Sequence, residues 1–272
     1  MAVREWKALS DQRVLEMKAE NPFSDESPDE AWQWLPAMLG LPVEHDVDPL
    51  QSRPWATWIV GALLVMVALL TFGDLRHYIS AFGFVPAEAF RLGGLTLLTS
   101  FFLHAGVLHL VGNGCFLLIF GDNVEDHLGS VRFVRLLVAA TIAGHVLHAA
   151  FDPRSGIPCV GASGGISGVI AFYALQFPHA RLGMMWRYYW RIGWQRFPAW
   201  AGLLVWLLFQ SAVAYGQVLG ASSVSALAHL GGAATGLAAW ALWRKFERAD
   251  LNDGESASTD EISSMFTRIR QS

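Results

Sequence analysis

Residues 197–243 read FPAWAGLLVWLLFQSAVAYGQVLGASSVSALAHLGGAATGLAAWALW, a run of 47 residues between Arg196 and Arg244 with no Asp, Glu, Lys or Arg. A helix needs roughly 20 apolar residues to cross the hydrocarbon core of a bilayer, so this run is long enough for two crossings. Its softer middle, Gly216 to Ser225, predicts a tight turn between them. The same clearing of charge recurs upstream. Twenty uncharged residues lie between Arg53 and Asp74, 30 between Arg91 and Asp122, 16 between Arg135 and Asp152, and 26 between Arg154 and Arg181. Arg135 can snorkel toward the interface and lengthen its window. Buried helices of soluble proteins are usually shorter, and they do not remove charge from five successive windows.

Composition agrees. Of 272 residues, 53% are hydrophobic and 15% charged, against about 25% charged in a typical soluble domain. With 19 Lys and Arg against 23 Asp and Glu, the net charge is -4, so there is no basic surplus for nucleic acid. Two cysteines, Cys115 and Cys159, make neither a disulfide framework nor a zinc signature. The expectation is an all-α polytopic membrane protein with six transmembrane helices, at about 54–73, 103–121, 133–151, 161–179, 198–217 and 226–243. Placing the N-terminus inside puts 16 of the 19 Lys and Arg on the inner side, which by the positive-inside rule makes both termini cytoplasmic. The chain then divides into a cytoplasmic N-terminal segment (1–53), a membrane domain (54–243) and a polar cytoplasmic tail (244–272). Within the N-terminal segment, short helices are expected through Val3–Lys18 and near Ala31–Leu39. The first span has no small-x-small cleavage site close behind it, so it reads as an anchor rather than a removed signal. The mixture of Trp186, Tyr188, Tyr189, Trp190 and Trp194 with Arg187 and Arg191 reads as an interfacial aromatic belt on the inner face.

A polar or ionisable side chain inside a membrane is a functional candidate by default. The candidates are His104, His109, Asn113, Ser163, Ser167 and His229, with His145 and His148 in the third span. The second, fourth and sixth spans all run from outside to inside. That brings His109, Asn113 (one turn deeper on the same face), Ser163 and His229 to one depth near the outer surface. Glycines at Gly161/Gly165, Gly164/Gly168 and Gly232/Gly236 form small-xxx-small faces through which helix backbones approach closely. If the fourth and sixth helices pack that way, the hydroxyl of Ser163 comes within reach of the His229 ring, a neutral imidazole able to take its proton during attack. The Ser163 backbone N–H at a helix start, with His109 and Asn113, can donate to an oxyanion. No carboxylate lies near the outer ends of these spans to orient His229, so the reading is a Ser–His dyad rather than a triad. No His-Glu-x-x-His occurs to suggest a zinc protease.

These residues resemble the rhomboid family of intramembrane serine proteases. The resemblance rests on Gly161-Ala162-Ser163-Gly164, on Ala228-His229-Leu230-Gly231-Gly232-Ala233-Ala234-Thr235-Gly236, and on His104 through His109 to Asn113, continuing into the family's Gly-x-x-x-Glu cap at Gly121 and Glu125. It implies Ser163 as nucleophile, His229 as base, and His109 and Asn113 as oxyanion donors. It implies that His104 orders the site, that Gly161 and Gly164 shape the serine turn, that Gly232 and Gly236 allow helix packing, and that Glu125 ties down the inner end of the second helix. No metal or organic cofactor is implied. The implied substrates are single-span or polytopic membrane proteins within the lipid bilayer, and the six-helix core suggests a bacterial plasma membrane. In the family's first loop a Trp-Arg pair often precedes a Thr. Here the pair falls on Leu95-Thr96, with Arg91 nearby but out of register. Two other functions fit the polar residues: a rhomboid-like fold that only binds membrane partners, and an electron carrier with paired histidine haem ligands.

Overall fold

The charge-free runs are largely helix, with non-helical breaks at 103–106 and 155–162, because backbone groups among apolar side chains are best satisfied within the segment itself. The computed structural model describes residues 31–45, 49–153, 155–220 and 224–247. The expected helix through Val3–Lys18 and most of the tail lie outside these. In chain order the elements are α1 (Trp34–Met38), β1 (Val43–His45), α2 (Trp55–Thr71), α3 (Leu75–Phe82), α4 (Thr96–Phe102), α5 (Val107–Leu128), α6 (Ser130–Phe151), α7 (Ser163–Gln176), β2 (Arg181–Tyr188), β3 (Arg191–Pro198), α8 (Ala199–Val218) and α9 (residues 226–247). Among the described residues, four stretches are long and apolar enough to cross a membrane: Trp55–Phe82, Val107–Leu128, Ser130–Phe151 and Ala199–Val218. The molecule is therefore a polytopic, predominantly helical membrane protein.

The span expected at 161–179 is corrected to a 14-residue helix, α7. At 1.5 Å per residue it is about 21 Å long, short of the hydrocarbon thickness. Its length fits its position. Ten of its residues are buried, among them Ile166, Phe172 and Tyr173, and it packs against α4, α5, α6 and α8. A central helix enclosed by protein need not reach both interfaces, and its first residue sits at the floor of a cavity. The expected turn at 216–225 is also shorter, since α8 runs to Val218 and α9 starts at residue 226.

The all-α expectation is corrected by a three-stranded antiparallel sheet in the order β1-β2-β3. β2 and β3 form a hairpin with Met185 opposite Trp194, and β1 adds to its edge with Val43 opposite Gly183. The aromatic residues read as a belt thus have a local structural role. Trp194 is buried with Ala37 and Val43 in a small core, and Trp34 meets it edge-on at 5.6 Å. Trp186, Tyr188, Tyr189 and Trp190 remain exposed. Residues 31–45 thereby fold onto the connection between α7 and α8. Glu44 of β1 reaches the end of α5, where the Asn123 amide donates to both its oxygens at 3.1 and 2.9 Å. Burial, with Asp122 nearby, pushes the Glu44 carboxyl up to about 8.

The connection between α2 and α5 is held by its own polar contacts. Although out of register with the family pair, Arg91 donates to the carbonyls of Ser80 and Gly83, each at 2.7 Å. The Thr99 hydroxyl donates to the Phe82 carbonyl at 2.8 Å. Phe84 and Cys159 exchange backbone hydrogen bonds of 3.0 and 2.7 Å, which join this connection to the segment leading into α7.

Candidate active site

Two close approaches build the site. The first is the turn before α7. Gly161 has φ +119°, and a Cβ there would lie 2.7 Å from the His109 ring. Only glycine combines that backbone conformation with that clearance. Its N–H donates to the Ser100 carbonyl at 2.9 Å, and two residues later Ser163 opens α7. The second is the α7–α9 seam. A Cβ on Gly232 would collide with the Gly164 carbonyl oxygen, and one on Gly236 with that of Gly168. Gly144 of α6 likewise leaves room for the Ala228 carbonyl of α9, 2.5 Å from where its Cβ would be. Backbone-to-backbone packing of this kind sets the separation of the side chains above it.

The seam places the Ser163 hydroxyl 2.8 Å from His229 Nε2. The other ring nitrogen, Nδ1, lies 2.9 Å from Oε1 of Gln210 on α8. With that amide oxygen as acceptor, Nδ1 carries the proton and the Nε2 lone pair faces Ser163. Both side chains line a cavity of about 530 Å³ together with His109, Asn113 and Cys159.

The remaining residues named from sequence separate into two groups. His109 and Asn113 share the cavity. His109 Nδ1 accepts the Ala105 N–H at 3.4 Å, which leaves the N–H on Nε2. Asn113 Nδ2 is buried with no hydrogen-bond partner among the described residues. His104 is 0% exposed and donates from Nδ1 to the Phe102 carbonyl at 3.3 Å. Its ring lies edge-on to His109 at 5.1 Å, a wall behind that ring. Ser167 turns back to the Ser163 carbonyl at 2.6 Å. Glu125 lies apart from the cavity. It accepts the Ala56 and Thr57 N–H groups at 2.8 and 2.7 Å and the Ser130 hydroxyl at 2.6 Å. It satisfies the orphan donors at the start of α2 and so joins α2 to the ends of α5 and α6.

Sequence reasoning missed Gln210. The signal was a polar side chain in an otherwise apolar stretch of membrane helix. It also gave too little to His148, which bonds Ser225 Oγ at 2.7 Å and Gln217 Nε2 at 3.1 Å, while Gln217 Oε1 accepts the Leu227 N–H at 3.2 Å. These contacts fasten the start of α9 just before His229. No group of three or more His, Cys, Asp or Glu among the described residues is arranged to hold a metal ion. Chemically, the cavity combines a hydroxyl, a proton acceptor in contact with it, and unpaired N–H donors.

A polytopic helical core with a hydrogen-bonded serine–histidine pair lining a mainly apolar cavity defines the class. The family model described as the rhomboid domain matches residues 91–246, more than half of the chain, and the chain belongs to the rhomboid family. It is 29% identical over 224 residues to RHOMBOID-like protein 12, mitochondrial, of Arabidopsis thaliana, covering 72% of this chain and 63% of that protein. Against Rhomboid protein 1, mitochondrial, of Saccharomyces cerevisiae it is 28% identical over 162 residues, 57% of this chain and 43% of that protein. Over 74 residues, 27% of this chain and 14% of that protein, it is 40% identical to the Rhomboid protease GluP of Bacillus subtilis. The chain therefore spans about half the length of the first two of these relatives.

Proposed function

We propose that this protein is an intramembrane serine endopeptidase that hydrolyses peptide bonds of membrane-spanning substrates near the outer leaflet. The observation that carries the reading is the 2.8 Å contact between Ser163 Oγ and His229 Nε2 in a cavity among membrane helices. In the mechanism, Ser163 Oγ attacks the scissile carbonyl carbon while His229 Nε2 takes the hydroxyl proton. Negative charge gathers on the carbonyl oxygen and is met by the Ser163 N–H, His109 Nε2–H and Asn113 Nδ2–H, donors already placed before the charge develops. The intermediate collapses, the C–N bond breaks, and His229 returns its proton to the leaving amine. Water then attacks the acyl-enzyme with His229 again as base, releasing the acid and regenerating Ser163. His104 backs the His109 ring. Gly161 and Gly164 hold the serine turn, and Gly232 and Gly236 hold the seam.

The topology proposed with this reading has six spans, α7 being a short central one enclosed by the others, and both termini cytoplasmic, with residues 1–53 and 244–272 flanking the membrane domain. That arrangement follows from the distribution of Lys and Arg. The site then opens to the non-cytoplasmic side, where water can reach it. Substrates are single-span or polytopic membrane proteins whose outer end unwinds, since a regular helix hides its carbonyls. Such a segment enters laterally past α8 and the loop after it. The relatives include proteins named as mitochondrial and others from Bacillus subtilis. The six-helix core favours a bacterial plasma membrane.

The test is co-expression of wild type, Ser163→Ala and His229→Ala with several single-span reporters, followed by sequencing of the new N-termini. Cleavage near the outer end of the reporter helix, by wild type alone, is expected. Cuts on the cytoplasmic juxtamembrane side, or full activity in Ser163→Ala, would contradict it.

A further inference from the structure

We propose that Gln210 is a positioning residue that fixes the tautomer and ring orientation of His229, so that the working unit is Ser163–His229–Gln210. This deepens the protease reading and rests on it. A neutral imidazole has one N–H and one lone pair, and only the tautomer with its proton on Nδ1 can accept from Ser163. In water either nitrogen finds a partner. Here the surroundings are apolar helix faces, and an Nδ1–H facing them would lack an acceptor, a loss of about 1–3 kcal/mol for a buried donor.

Gln210 Oε1 supplies that acceptor at 2.9 Å, from a side chain only 7% exposed on a neighbouring helix. The ring is thus held from both nitrogens at once, by α7 through Ser163 and by α8 through Gln210. The position corresponds to that of the third member of a hydrolytic triad, which holds the imidazole in its reactive tautomer. The chemistry differs in one respect. A carboxylate would also draw a proton onto His229 and keep it there by charge attraction. A neutral amide selects the tautomer without doing so, and without placing an ionised group in the membrane. The ring is thereby presented to Ser163 with its Nε2 lone pair free to accept.

The experiment uses the full-length protein in liposomes as wild type, Gln210→Leu, Gln210→Glu and Ser163→Ala. It measures the labelling rate with a fluorophosphonate serine probe from pH 5 to 9, reporter kcat and KM, and thermal unfolding. In Gln210→Leu, labelling and kcat should fall about tenfold or more, with KM and unfolding temperature near wild type. In Gln210→Glu, the acidic limb of the pH–rate profile should move upward, because a carboxylate against Nδ1 favours the imidazolium. A lost packing contact would not move that limb. Wild-type rates and an unmoved profile in both variants would overturn the inference. So would equal losses in both that follow a lower unfolding temperature with no shift in the profile. Labelling of Ser163→Ala at the wild-type rate would instead overturn the serine mechanism itself, so the two failures are distinguishable.

Discussion

Helix α7 joins two regions built in opposite ways. At its start, Ser163 stands above a seam where α7 and α9 touch backbone to backbone through Gly164, Gly168, Gly232 and Gly236. Beyond its far end the chain enters a sheet held by ladder hydrogen bonds and by Trp34 and Trp194 packed on each other. The seam works by the absence of side chains at Gly168, Gly232 and Gly236, where an added Cβ would run into a backbone carbonyl or a packed methyl. The sheet works by large side chains whose partners can adjust. The proposed chemistry, which depends on a 2.8 Å contact, is built where positions are set by backbone against backbone. The attachment of residues 31–45, which needs no such tolerance, is built from aromatic packing and strand pairing.

The comparison breaks most visibly at the seam. In Gly232→Ala the new methyl meets the Gly164 carbonyl, a backbone group that cannot move aside. A loss of about 2–3 kcal/mol or more and loss of reporter cleavage are expected, measured by thermal unfolding and product analysis. Smaller, and confined to chemistry, is Asn113→Ala. Removing one proposed oxyanion donor should lower kcat by about 10²–10³-fold with the unfolding temperature unchanged, which steady-state kinetics and calorimetry would check. At the other end, Trp194→Ala should loosen the sheet by about 3 kcal/mol, seen as faster hydrogen exchange over 181–198. Labelling of Ser163 should hold its rate, and a parallel loss would show that the two regions are coupled.

A pH dependence is expected at Glu44. Its carboxyl is raised by burial to about 8, whereas an unfolded Glu titrates near 4.3. Between those values the folded form holds more protons than the unfolded one, so the docking of residues 31–45 is strongest at or below the unfolded pKa. It weakens as pH rises toward about 8 and levels off above it. Proteolysis of that segment should accelerate over this window in wild type and lose the dependence in Glu44→Gln.

Much of this was legible in the sequence because a bilayer magnifies the contrast between residue types. Long charge-free runs have few structural outcomes, and Ser163, His229, His109 and Asn113 stood out as polar groups at one depth. Glycine spacing pointed to the seam because small residues repeating every four positions have a geometric consequence for helix packing. Gln210 was not legible in the same way. An uncharged amide near Ser211 and Gln217 gives no indication of which neighbour it will meet, since that depends on how α8 is rotated against α9. The sheet was hidden for a different reason. The aromatic and basic residues of 181–198 obscure their alternation, and β1 comes from residues more than a hundred positions away. Arg91 shows that a loop can recover a tie from outside the expected register, because the acceptors, two loop carbonyls, are within reach of a long side chain.

The most direct test of the central claim is to map the fluorophosphonate adduct by mass spectrometry in wild type and in His229→Ala. Modification of Ser163 in wild type, and its near-complete loss in His229→Ala with the fold intact, is the result expected of a serine activated by its neighbour. An adduct on another residue, or undiminished labelling of Ser163 without His229, would contradict it.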